Sequence, residues 1–215
     1  MWALVTDNTI TKIINNPKGL VINNIQYSRN IFSFRWSNEE REAIGIYEIV
    51  FNNTNKKDEA YYINTNQSFA FADGVVTASY GSATAKAHAD TKWTQAQIDD
   101  PSLVGTAPEG ADTNTVRLEG LKTTLIRTVK AQAAGILQDT DWYIVRKADA
   151  DTDVPSAITT FRAAVRTKAA AMETLITNAS NTPAIETLYT YVNTADEGDP
   201  VVMERPLGEF PVLGS

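Results

Sequence analysis

The 215 residues carry a net charge of −7, with 43% hydrophobic and 21% charged residues, enough apolar material to bury a core and too much for wholesale disorder. An acidic chain repels phosphate backbones and anionic lipid, so neither nucleic acid nor a membrane is expected as a partner, and no apolar run approaches the ~20 residues that span a bilayer. The absence of cysteine removes disulfides, thiolate metal sites and thiol nucleophiles, and fits a reducing compartment.

Met1-Trp2-Ala3-Leu4-Val5-Thr6-Asp7 has neither a basic start nor a long apolar core, so no signal peptide is expected. Trp2–Val5 and Thr9–Ile14 flank Asp7-Asn8, the pattern of a tight hairpin. Asn16-Pro17-Lys18-Gly19 breaks the chain before Leu20-Val21-Ile22 begins a new extended piece. Ser37 with Glu40 three residues on is a capping-box spacing, which predicts a short helix from Asn38 to Ala43 ended by Gly45. Ile46–Phe51, Ala60–Ile63 and Ser68–Ala72 read as strands. Asp73-Gly74 is the clearest hairpin signal and leads into Val75–Tyr80. Asn and Thr cluster between these pieces, as in Asn52-Asn53-Thr54-Asn55, where their side chains suit turns.

From Asp99 to Asn114 the chain holds four acidic residues and no basic one, with Gly and Pro interspersed, which reads as an exposed linker. Leu118, Leu121, Leu125, Val129 and Ile136 then recur at helical steps. Ile158, Phe161, Val165, Ala169, Met172 and Ile176 do the same after Pro155. Asp139-Thr140-Asp141-Trp142 reads as the tight connection that folds these two helices back on one another, and a third, short helix is expected from Pro183 to about Val192. The expected class is α+β: a β-rich domain over 1–92, an acidic linker over 93–115, a helical domain over 116–193 built on an antiparallel hairpin, and an extended tail over 194–215 that does not pack by itself.

No chemistry of a known type emerges. His88 is the single histidine and sits in Ala87-His88-Ala89-Asp90, which carries no catalytic signature. One His and no Cys leave zinc and iron without their usual ligands. Asp149, Asp151 and Asp153 alternate like a calcium loop, but Val154 and Thr160 stand where that loop needs Gly and Glu. There is no Gly-rich phosphate cradle. Sequons occur at Asn52, Asn66 and Asn178, which a cytosolic chain leaves bare. Tyr61, Tyr62, Phe69, Phe71 and Tyr80 could form a carbohydrate platform, although aromatics on neighbouring strands more commonly pack as cross-strand core pairs. The expectation is a non-enzymatic protein with no catalytic residue, no cofactor and no metal.

Two segments carry a resemblance. Leu137-Gln138-Asp139-Thr140-Asp141-Trp142, an acidic loop, and then Phe161-Arg162-Ala163-Ala164-Val165-Arg166 resemble the tail assembly chaperone family of bacteriophages. That family has a Leu-rich helix, a Thr-Asp-Trp turn and a later helix with an aromatic-Arg-x-x-aliphatic-Arg motif. The similarity covers residues 121 to about 170. Here Thr167 follows the second arginine where the family often has Asp, and no second Trp precedes Phe161. Glu42–Val50, Tyr61-Tyr62 and Phe71–Val76 look like small tail-fibre-associated proteins of marine phages. The resemblance implies a phage tail setting, and the β-rich half suited to edge pairing, the linker and the unpacked tail favour a virion structural protein (a tail fibre, baseplate or fibre-attachment component), made in the host cytoplasm. An assembly chaperone absent from the mature particle is the alternative. The implied partners are other phage tail proteins in a homo- or hetero-oligomer of three- or six-fold symmetry, with Trp142, Arg162 and Arg166 as contact residues. Trp142, a large aromatic at a helix turn, also reads as plain core.

Overall fold

The computed structural model describes residues 1–214 and divides into two compact units, Met1–Thr84 and the chain from Ala85 onward. The class is α+β, with a β-rich first unit and helices in the second.

The first unit is organised by turns. Strands β1 (Trp2–Thr6) and β2 (Thr9–Ile14) pair antiparallel around Asp7 and Asn8, both at positive φ. Strands β3 (Leu20–Ile22) and β4 (Ile25–Tyr27) do so around Asn23 and Asn24. Strands β7 (Ser68–Ala72) and β8 (Val75–Ser79) do so around Asp73 and Gly74. Two successive residues at positive φ give the turn whose twist matches a hairpin, and Asn, Asp and Gly tolerate that backbone best. Helix α1 (Asn38–Glu42) starts on the expected box, with Ser37 and Glu40 each capping the other's backbone N–H.

Strand β5 (Ile46–Asn52) lies between β1 and β8, antiparallel to the first and parallel to the second, giving the order β2-β1-β5-β8-β7. The outer strands β2 and β7 approach one another, so the sheet curls into a half-barrel. Alternation along β1 then feeds two cores. Ala3 and Val5 join Ile49, Val76 and Ala78, while Trp2 and Leu4 join Ile14, Ile22, Ile31 and Ile46. The strand expected at Ala60–Ile63 shortens to β6 (Tyr62–Ile63), because the Asp58 carboxylate and carbonyl accept from the Ala60 and Tyr62 amides and hold a turn there.

The boundary between the units falls within β9 (Thr84–Ala85), and the second begins at Ala85. Strands β10 (Thr91–Lys92) and β11 (Val116–Leu118) pair antiparallel, and the Trp93 amide donates to the Thr115 carbonyl, so residues 93–115 form a loop closed at its base. That loop contains helix α2 (Gln95–Asp99), capped by Thr94, and starts on the buried Trp93. It is an excursion within the unit rather than a linker between domains, and the unit boundary falls before residue 92. Leu118 belongs to β11 and not to the helical stripe, because Gly120 ends the strand. A Cβ there would sit 2.3 Å from the Ala89 carbonyl carbon.

Four helices follow: α3 (Leu121–Gln138), α4 (Asp141–Ala150), α5 (Ser156–Asn178) and α6 (Thr182–Tyr189). Val129 and Ala133 of α3 meet Val165, Ala169, Met172 and Ile176 of α5 in one core. Two expectations are corrected here. The segment between α3 and α5 is a helix of its own, not a single turn. The tail is also partly packed: after β12 (Val192–Asn193) and β13 (Met203–Glu204), Leu207 is buried in the helical core, its amide donates to the Leu188 carbonyl, and Phe210 packs beside it.

Candidate protein-binding site

The segments that carry the resemblance meet at the junction of α3, α4 and α5. Arg162 sits in the first half of α5 with 6% of its surface exposed. Its Nη1 donates to the Leu137 carbonyl at 2.8 Å and to Thr140 Oγ1 at 2.6 Å, and its Nη2 lies 2.8 Å from the Asp141 carboxylate. The buried Thr140 hydroxyl in turn donates a hydrogen bond to the Leu137 carbonyl at 2.9 Å. One guanidinium therefore ties the last turn of α3 to the first turn of α4. Its fork suits this, because planar donors reach several acceptors at once.

Of the three proposed contact residues, Arg162 is therefore an internal clamp, and Arg166 one turn later is exposed. Trp142 is outside, with 51% of its surface exposed; the reading of it as plain core is overturned, because α4 buries none of its residues. Its ring lies 4.1 Å from that of Tyr143, and the Arg146 guanidinium stacks 4.9 Å above it.

Helix α4 has no buried residue. Ile144 and Val145 are exposed along with Trp142, and Val145 is 65% so. Beside the start of α4 lies an open cleft of about 390 Å³, walled by Ile136, Phe161, Phe210 and Leu213, with Asp139 and Thr140 at its edge. Residues 210–213 form a strap over Phe161, with a second hollow of about 440 Å³ against Ala157 and Ala164 on its other side. Val212 on the strap is 70% exposed. Exposed aromatic and aliphatic groups gathered around an apolar cleft have the composition of an interface core. The sequence reading missed the cleft, since only the folded tail builds it. The helical character of α4 was not legible, because Trp142–Val145 is an aromatic and β-branched run of the kind that favours strands.

The other candidates take structural places. His88 is half-buried and its carbonyl accepts from the Lys122 amide. Asp151 and Asp153 both bind Lys147, at 2.9 and 2.8 Å, and hold that ammonium above its usual range, Asp153 most strongly. Asp149 is exposed. Among the described residues no cluster of His, Cys, Asp and Glu is placed to hold a metal ion, and no helix is long and apolar enough to cross a membrane. The aromatic set of the first unit is dispersed: Tyr62 is buried, Phe69 and Phe71 pack on the sheet core, and Tyr80 lies under Lys56.

No protein-family model matches this chain, and no curated protein or solved structure is significantly similar to it.

Proposed function

We propose that this chain is a non-enzymatic structural component of a bacteriophage tail, held among other tail proteins through α4 and the cleft beside it. One observation carries the binding part of this reading: α4 is ten residues long and buries none of them. Isolated helices below about 12–15 residues are marginal in water, and most helical stability in proteins comes from packing an apolar face. A short helix that turns Trp142, Ile144 and Val145 to solvent is best explained by a partner that covers it. The tail setting rests on the resemblance in Leu137–Trp142 and Phe161–Arg166, the two segments that Arg162 joins.

Quantitative mass spectrometry of gradient-purified particles tests it. A fixed copy number in multiples of three or six is the expected result. Presence in the infected lysate with absence from particles would overturn the structural role and favour the assembly-chaperone reading, which uses the same exposed surface.

A further inference from the structure

Resting on the reading of α4 and its cleft as a protein-binding surface, we propose that the surface is homophilic: Trp142 of one copy enters the cleft of a second copy, and the second copy's Trp142 enters the first. The two halves of such a contact belong to neighbouring stretches of the chain. Thr140, the N-cap of α4, lines the cleft, and the exposed indole follows two residues later in the chain. A two-fold contact requires this arrangement, because the same patch on both molecules must supply both knob and hole.

The chemistry of the halves matches. The knob is an indole with a guanidinium stacked on its face. The hole has apolar walls from Ile136, Phe161, Phe210 and Leu213, and a carboxylate from Asp139 at its edge. Its volume of about 390 Å³ lies in the range of pockets that hold aromatic ligands. As Trp142 enters, Arg146 travels with it toward Asp139 of the other copy. Among the described residues these two charges belong to no ion pair, whereas the neighbouring Asp141 and Lys147 are committed to Arg162 and to Asp151 and Asp153. Electrostatic complementarity of this kind fixes register between partners. Ile144, Val145 and Val212, all exposed, would surround the indole and exclude water from it, as the near-neutral ring around an anchor does.

Sedimentation equilibrium of the purified full chain is the test, with circular dichroism as the control for folding. The expected result is a reversible dimer that Trp142→Ala weakens by about 30-fold or more, the effect of losing a central aromatic anchor. Asp139→Arg and Arg146→Asp each weaken it, and the combined D139R/R146D chain recovers most of the loss, because the pair is restored with its signs exchanged. A monomer throughout the concentration range, a dimer indifferent to Trp142→Ala, or a double variant no better than the single ones would overturn the proposal. The two readings fail separately. A monomeric chain that Trp142→Ala strips from particles refutes the homophilic contact and leaves the tail role standing. A Trp142-dependent dimer missing from particles does the reverse.

Discussion

Helices α4 and α5 lie in the same unit, six residues apart in sequence, and have opposite relations to the core. In the 23-residue α5, Ile158, Arg162, Val165, Ala169, Met172 and Ile176 are all buried, at steps of four and three that keep one stripe facing α3. The ten-residue α4 buries nothing. Helical state therefore has two settings here: α5 is held by what it packs against, while α4 is tethered at one end by Arg162 and buries no residue. Burial and apolar exposure are divided between two helices instead of between two faces of one.

The comparison predicts a graded set of substitutions. Met172→Ala strikes the middle of the α5 stripe, where the side chain is almost fully buried, and should cost about 3 kcal/mol through lost burial and an unfilled cavity, read by denaturant unfolding. Arg162→Ala comes next. It leaves the Thr140 hydroxyl oxygen without its donor and takes one of several donors from the Leu137 carbonyl, but Asp141 is more than half exposed and can return to water. The expected cost is therefore about 2 kcal/mol, below that of breaking a fully buried pair. Arg162→Lys should recover less than half, since one ammonium cannot reproduce the fork. A chain with Arg162→Ala at full stability would show that α4 is not tethered there.

What was legible in the sequence follows from range. The hairpins at Asp7-Asn8 and Asp73-Gly74, the box at Ser37 and Glu40, and the α5 stripe are local patterns, and the structure has them where the residues put them. The stripe was read through Phe161, which packs half-buried against the core, while its neighbour Arg162, read as a contact residue, is the more deeply buried of the two. Leu137, Thr140 and Asp141, all more than 20 residues away, make that burial tolerable. The hairpin at Asn23-Asn24 carried the same positive-φ residue types as the other two but sat between strands of three residues, too short for alternation to register. The cleft was not legible at all, since its walls come from α3, α5 and a strap 50 residues beyond Phe161.

A smaller effect separates α3, the partner of α5, from α4. The N-cap of α3 is Gly120, which has no side chain to cap with. Asp90 supplies the cap from a distance, accepting from the Gly120 amide and the Thr123 hydroxyl, both at 2.7 Å. These bonds, the Gly120 amide first, hold its carboxyl below the usual range. A carboxylate depressed by folding contributes stability above its unfolded value, and that stability is lost as pH falls through the folded one. Asp90→Asn should therefore cost about 1 kcal/mol at neutral pH. The gap to the parent chain should close below about pH 4, as unfolding midpoints across pH would record. A gap independent of pH would rule out the charged cap.

The smallest effect decides the comparison. If α4 is held only at its tethered end, Val145→Ala removes a side chain that touches solvent, and the stability of the isolated chain should change by less than about 0.5 kcal/mol. The same kind of truncation in α5 is the largest effect of the series. Amide exchange should agree: the α4 amides beyond the Arg162 tether should exchange through local opening, well before those of α5 around Met172. Adding the partner, or raising concentration if the partner is a second copy, should slow α4 alone. Exchange in α4 as slow as in α5 for the isolated chain would mean that α4 is stable without a covering surface, and the argument for a binding helix would lose its basis.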